Sequence, residues 1–189
     1  MKIWMIRHGE SETNRNGLWT GWLDAPLTDK GRKDAALAGE FLSKMTTFDK
    51  IYSSDLLRAK NTAEIAIPGC KYETTPTLRE INVGNIAGKP LEIIKDRNDL
   101  SGNKDGYARF GGESQAEFGN RVRAFMEILE GQSCENVAVF SHAGFLRKVL
   151  DTVLGIDVPH NNIMCKNCTV AVLEYSDKTW MLHSWINLY

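Results

Sequence analysis

Apolar runs along this chain alternate with stretches whose apolar positions recur every three or four residues. "KIWMI" (2–6) is bulky and partly β-branched, and it predicts a short buried strand. Residues 7–27 carry Gly9, Gly17, Gly21 and Pro26 without a helical period, which predicts an extended loop. Thr28 is placed to cap a helix over 29–45, where Ala35, Ala38, Leu42 and Met45 share one face. "KIYSS" (50–54) predicts a second strand, and a helix over 56–67 stops at Pro68-Gly69. Residues 69–112 are less regular. They allow a short strand near 71–75, a helix opening near Pro90 and a Gly-rich loop, "LSGNKDGYARFGGE". A strong helical period returns over 113–131 through Phe118, Val122, Phe125 and Leu129. "NVAVFS" (136–141) predicts a buried strand, followed by a helix over 144–154. "TVAVLEY" and "WMLHSWI" flank Ser176-Asp177-Lys178 and predict a terminal hairpin. Strands alternating with helices predict an α/β fold with a largely parallel sheet covered on both faces.

Length and charge narrow the picture. A chain of 189 residues fits a single domain spanning 1–189. The formal net charge is −1, from 23 basic and 24 acidic residues. That balance gives no reason to expect a nucleic-acid or acidic-membrane partner, so any cationic site must be local. No apolar run is long enough to cross a membrane. "IWMI" is too short for a signal-peptide core and runs directly into "RHGE". The expectation is a cytoplasmic protein whose Cys70, Cys134, Cys165 and Cys168 are reduced thiols.

The candidate chemistry lies at predicted strand ends. "KIWMI" ends at Arg7-His8, and "NVAVFS" ends at His142-Ala143-Gly144. The chain has 4 histidines, and two of them occupy these matching positions. "KIYSS" is followed by Asp55 and then Arg58 at the start of a helix. Ligands of open α/β sheets bind beyond the carboxyl ends of the strands, and helix N-termini attract anions. Two arginines, two histidines and a helix N-terminus at one sheet edge describe a phosphate site.

"RHGES" (7–11), "YSSDLLRAKNTAE" (52–64), "LREINVGNIAGK" (78–89), "GGES" (111–114) and "SHAGFLRKVL" (141–150) together resemble the histidine phosphatase superfamily, also called phosphoglycerate mutase-like. The resemblance covers nearly the whole chain in order. It implies a three-layer α/β/α sandwich around a mostly parallel six-stranded sheet. It also implies that His8 is a nucleophile forming a phosphohistidine and that Glu80 is the general acid. Arg7, Arg58 and His142 then hold the phosphoryl oxygens. Asn14 matches a further phosphate-binding position, and Thr20 one where the mutases often carry serine or threonine. No metal or cofactor is implied, and the partner is a small phosphorylated metabolite. These residue types suit the chemistry. Arginine stays charged and binds oxygens through a planar fork. A neutral imidazole splits the transfer into two steps. A carboxylic acid protonates the leaving oxygen.

The resemblance leaves alternatives. A phosphoglycerate mutase is one, although mutases of this kind usually carry an insertion after the glutamate block, and the expectation is that this chain is too short for it. A regulatory module that binds a phospholigand without turnover is another. "CKNC" (165–168) resembles a metal or redox motif but lacks a second pair of ligands, so packing is the expectation. Trp4, Trp180 and Trp185 are expected in the core, and Trp19 and Trp22 in the site loop. His160 and His183 are expected to be structural or exposed. Arg79 is expected at the surface or behind the site, and Glu113 is the next carboxylate expected to face it.

Overall fold

A computed structural model describes residues 1–94, 104–155 and 162–188. The strands are β1 (Lys2–Arg7), β2 (Lys50–Ser54), β3 (Glu73–Thr75), β4 (Asn136–Ser141), β5 (Val170–Ser176) and β6 (Thr179–Ile186). They form one sheet in the order β3-β2-β4-β1-β5-β6. β3, β2, β4 and β1 run parallel, whereas β5 is antiparallel to β1 and β6 to β5. The mostly parallel sheet and the terminal hairpin therefore match the expectation.

Side chains of the inner strands alternate between two cores, as a strand's period of two requires. Ile3 and Met5 of β1, Val137 and Val139 of β4, and Ala171 and Leu173 of β5 face one core. Trp4 and Ile6, Ala138 and Phe140, and Val170 and Val172 face the other.

Helices cover both faces. The main ones are α2 (Asp29–Met45), α3 (Leu57–Ala66), α4 (Gln115–Glu130) and α5 (Ala143–Leu154). α2 and α3 pack together on one face, α4 and α5 on the other. Thr28 caps α2 by accepting the Gly31 N–H at 2.9 Å. Ser114 caps α4 in a reciprocal box with Glu117, so that helix begins at Gln115. Phe118, Val122, Phe125 and Leu129 of α4 are all buried.

Several expectations are corrected. The loop after β1 contains a one-turn helix, α1 (Glu12–Arg15), because Ser11 and Asn14 form a capping box. Met45 stays 54% exposed, since α2 ends there and Thr46 is already extended. Near Pro90 the described residues form a 3₁₀ turn, Leu91–Ile93, rather than an α-helix. Trp4 is core, but Trp180 and Trp185 are only half-buried on the outer strand. Their indole N–H groups donate to Glu130 and to the Met164 carbonyl, each at 2.8 Å. His183 is exposed, as expected, and pairs with Glu174 at 2.6 Å. His160 lies outside the described residues.

Candidate active site

Register brings the first two functional residues together. Arg7 at the end of β1 pairs with Ser141 at the end of β4, so His8 and His142 emerge side by side. Their rings lie 5.1 Å apart at 62°. Both are almost fully buried.

His8 is held in one tautomer. Its Nδ1 lies 2.7 Å from the Gly9 carbonyl, which only accepts, so the proton is on Nδ1 and Nε2 keeps its lone pair. Arg58 donates Nε–H to that nitrogen at 3.2 Å. Burial pushes the His8 pKa well below its ordinary 6.5, and the Arg58 and Arg7 charges push it further. The ring is therefore neutral, with its basic nitrogen facing a guanidinium. Gly9 is fixed in turn, since its N–H donates to Thr62 of α3 at 3.0 Å.

Arg58 is the largest fully buried side chain among the described residues. Its Nη1 and Nη2 donate to the Leu23 and Gly21 carbonyls at 2.9 and 2.8 Å. One guanidinium thus ties the site loop to His8. Burial lowers its pKa to about 10, which leaves it charged near neutrality. At the N-terminus of α3, Asp24 Oδ1 accepts the Leu57 N–H at 2.7 Å.

Arg7 donates Nη1–H to the Cys165 carbonyl at 2.5 Å. His142 Nε2 lies 2.9 Å from Ser54 Oγ. Burial, then the charge of Arg58, push its pKa well below the ordinary value. Two buried polar atoms of the site, Arg7 Nε and His142 Nδ1, have no hydrogen-bond partner among the described residues. Unpaired buried groups of this kind each cost about 1–3 kcal/mol unless something pairs with them. Phosphoryl oxygens are suited to that role.

Glu80 sits beside this group. Its Oε2 accepts the Gly144 N–H at 3.0 Å at the start of α5, and its Oε1 accepts the Ile81 N–H at 2.9 Å. Glycine at 144 leaves room for this contact, because a Cβ there would displace Glu80 Oε1. Trp22 donates its indole N–H to the Glu80 carbonyl at 2.8 Å. Arg79 turns away into a bidentate pair with Asp55 at 2.8 and 2.6 Å and lies over the Trp22 ring. Glu113 does not face the site as an available acid. It pairs with Arg121 at 2.8 Å and accepts the Asn82 N–H at 2.7 Å.

The other expected residues are less central. Asn14 Oδ1 accepts the Ser11 N–H at 3.2 Å and the Asn167 side-chain amide at 3.3 Å. That amide also donates to the His8 carbonyl at 3.1 Å, so Asn14 reaches His8 through Asn167. Thr20 donates to Thr13 at 2.7 Å. Ser54, Thr62 and Asn167 are not singled out by the sequence. The first two lie inside the "YSSDLLRAKNTAE" block, but Asn167 lies inside "CKNC", where the cysteines draw attention instead. Cys165 and Cys168 are buried thiols packed in different clusters. Among the described residues, no group of three or more His, Cys, Asp and Glu side chains is arranged to hold a metal ion. Nor is any described helix long and apolar enough to cross a membrane.

The arrangement has relatives among known proteins. A family model for the histidine phosphatase superfamily, branch 1, matches residues 3–188. A Yersinia enterocolitica protein named probable phosphoglycerate mutase GpmB is 30% identical over 98% of this chain and 90% of its own. Chain length therefore does not separate this protein from one bearing a mutase name. The solved structure of TTHB049 from Thermus thermophilus has a TM-score of 0.78 and 32% identity, covering 100% of both chains. An Entamoeba histolytica phosphoserine phosphatase, solved with 3-phosphoglyceric acid, has a TM-score of 0.83 and 25% identity. It matches 98% of this chain and 96% of its own. The chain belongs to the histidine phosphatase superfamily.

Proposed function

We propose that this protein hydrolyses a small phosphomonoester through a phosphohistidine on His8. The observation that carries the reading is the locked tautomer. The Nδ1 proton is committed to Gly9, and Nε2 presents a lone pair beside Arg58. In the first step Nε2 attacks phosphorus in line and the ester oxygen leaves. The incoming phosphoryl oxygens draw the Arg58 Nε–H away from Nε2 and free the lone pair. Arg7 and His142 supply further N–H donors, among them Arg7 Nε, which has no partner among the described residues. Such charge-assisted contacts hold the equatorial oxygens as the bond breaks. Glu80 gives its proton to the leaving alkoxide. In the second step Glu80 takes a proton from water, the water oxygen attacks phosphorus, and Nε2 departs with its electron pair. Asn14 and Thr20 belong to the substrate-binding wall in this reading.

The test is a turnover screen over phosphorylated metabolites, followed by acid-labile labelling. A phosphatase releases inorganic phosphate from one or more of them. The enzyme quenched during turnover carries acid-labile phosphate, and His8→Ala carries none. Label retained in His8→Ala overturns the assignment. Interconversion of phosphoglycerates only after phosphorylated priming makes the protein a mutase. Binding without phosphate release makes it a ligand-binding module.

A further inference from the structure

Arg121 stands on α4 and donates no hydrogen bond to His8 or His142, yet its guanidinium is fully engaged. Nε and Nη2 each donate to one oxygen of Glu113 at 2.8 Å. Nη1 donates to the Thr77 and Arg79 carbonyls at 2.9 and 2.7 Å. Nη2 reaches the Glu80 carbonyl as well, at 3.1 Å. All five N–H groups of the fork are used. Glu113 grips the same segment from the other side. Its Oε2 accepts the Asn82 N–H at 2.7 Å, and its own N–H donates to the Asn82 carbonyl at 2.9 Å. Both side chains are only 15% exposed.

The gripped segment is anchored by the buried Leu78, Ile81 and Val83, by Ser141 on the Leu78 carbonyl and by Trp22 on the Glu80 carbonyl, but not by regular secondary structure. A 3₁₀ turn ends at Leu78 and the next begins at Gly84, with neither helix nor strand between them. Backbone groups in such a stretch need partners from elsewhere. Here one ion pair satisfies three carbonyls and an amide, on both sides of Glu80. We infer that Arg121 and Glu113 are positioning residues that hold the Glu80 carboxylate against the N-terminus of α5. The inference rests on the reading of Glu80 as the leaving-group acid. A catalytic group displaced by ~1 Å can lose ~10²-fold in rate. Only a planar fork reaches this many acceptors at once, whereas a lysine is a single point charge with three donors.

The variants are Arg121→Lys and Glu113→Gln. Lysine keeps the positive charge that bears on His142, so the electrostatics of that ring are largely preserved while the fork is lost. Phosphorylation of His8 is followed in single turnovers with 3-phosphoglycerate, whose alkoxide needs a proton, and with p-nitrophenyl phosphate, whose phenoxide hardly does. Each variant is made in the parent and in Glu80→Gln. Expected is a loss of roughly 10- to 100-fold on the alkyl substrate and under about threefold on the aryl one. In the Glu80→Gln background, neither variant costs more. Equal losses on both substrates, losses that add to that of Glu80→Gln, or no loss at all overturn the inference. If Arg121→Lys does not fold, the same comparisons on Glu113→Gln decide. Glu80→Gln losing equally on both substrates removes the acid reading itself, and the inference with it. Leaving-group dependence in Glu80→Gln but not in the two variants removes the inference alone.

Discussion

His8 and His142 are buried imidazoles held neutral beside Arg58, and this has a consequence for stability. Their folded pKa values lie well below 6.5, while in the unfolded chain they return to about 6.5. Below that pH the unfolded chain binds protons that the folded chain refuses. Stability therefore rises with pH across the window and is lost as pH falls from about 6.5 toward the depressed folded values. The melting temperature should drop between pH 7.5 and pH 5.5, and His8→Gln should flatten the drop by removing one of the two protons. An unchanged slope in His8→Gln would show that His8 has no part in it. At this scale the sequence is partly legible. Arg7, His8, Arg58, Glu80 and His142 stand in motif blocks, and the structure brings them to one place. The tautomer of His8 is not legible, because it depends on where the Gly9 carbonyl points. Nor is the task of Glu113, because its Arg121 partner lies one helical segment further on.

Among the elements, α3 carries Arg58 and Thr62, so its seat on α2 matters to the site. Gly39 of α2 makes that seat possible, because a Cβ there would strike the Ala66 carbonyl at the end of α3. Gly39→Ala should therefore cost about 1–3 kcal/mol through overpacking, read as a lowered melting temperature. Leu37→Ala on the exposed side of the same helix should leave it nearly unchanged. A Gly39→Ala protein as stable as the parent would mean that the two helices separate without penalty. Strands and long helices are readable because their periods are set by burial on one or both faces. The expected ends of α2 and α4 fall within about two residues of those observed. The one-turn α1 escapes because so short a helix has no period, only a capping box. Trp180 and Trp185 lie less deep than expected because hydrophobicity does not say which strand lies at a sheet's edge.

On the scale of the whole molecule, β1 is the innermost connection between the halves of the sheet. It pairs with β4 on one side and β5 on the other, both far later in the chain. Such an order makes folding depend on distant contacts, which are slow to form. A ribosome makes β1 long before either of its neighbours, because β4 begins only at Asn136 and β5 at Val170. Until then "KIWMI" is a bulky apolar segment without a ladder, the kind of stretch that aggregates or recruits a chaperone. Completion should be abrupt. A fragment ending at Asn167 still holds β4 but lacks β5 and β6, which leaves one edge of β1 open. Its β1 amides should exchange with solvent in seconds to minutes and its apolar faces should bind a hydrophobic dye, whereas the full chain should protect those amides as strongly as any in the protein. Slow exchange in the fragment would show that β4 alone is enough to finish the post on which His8 stands.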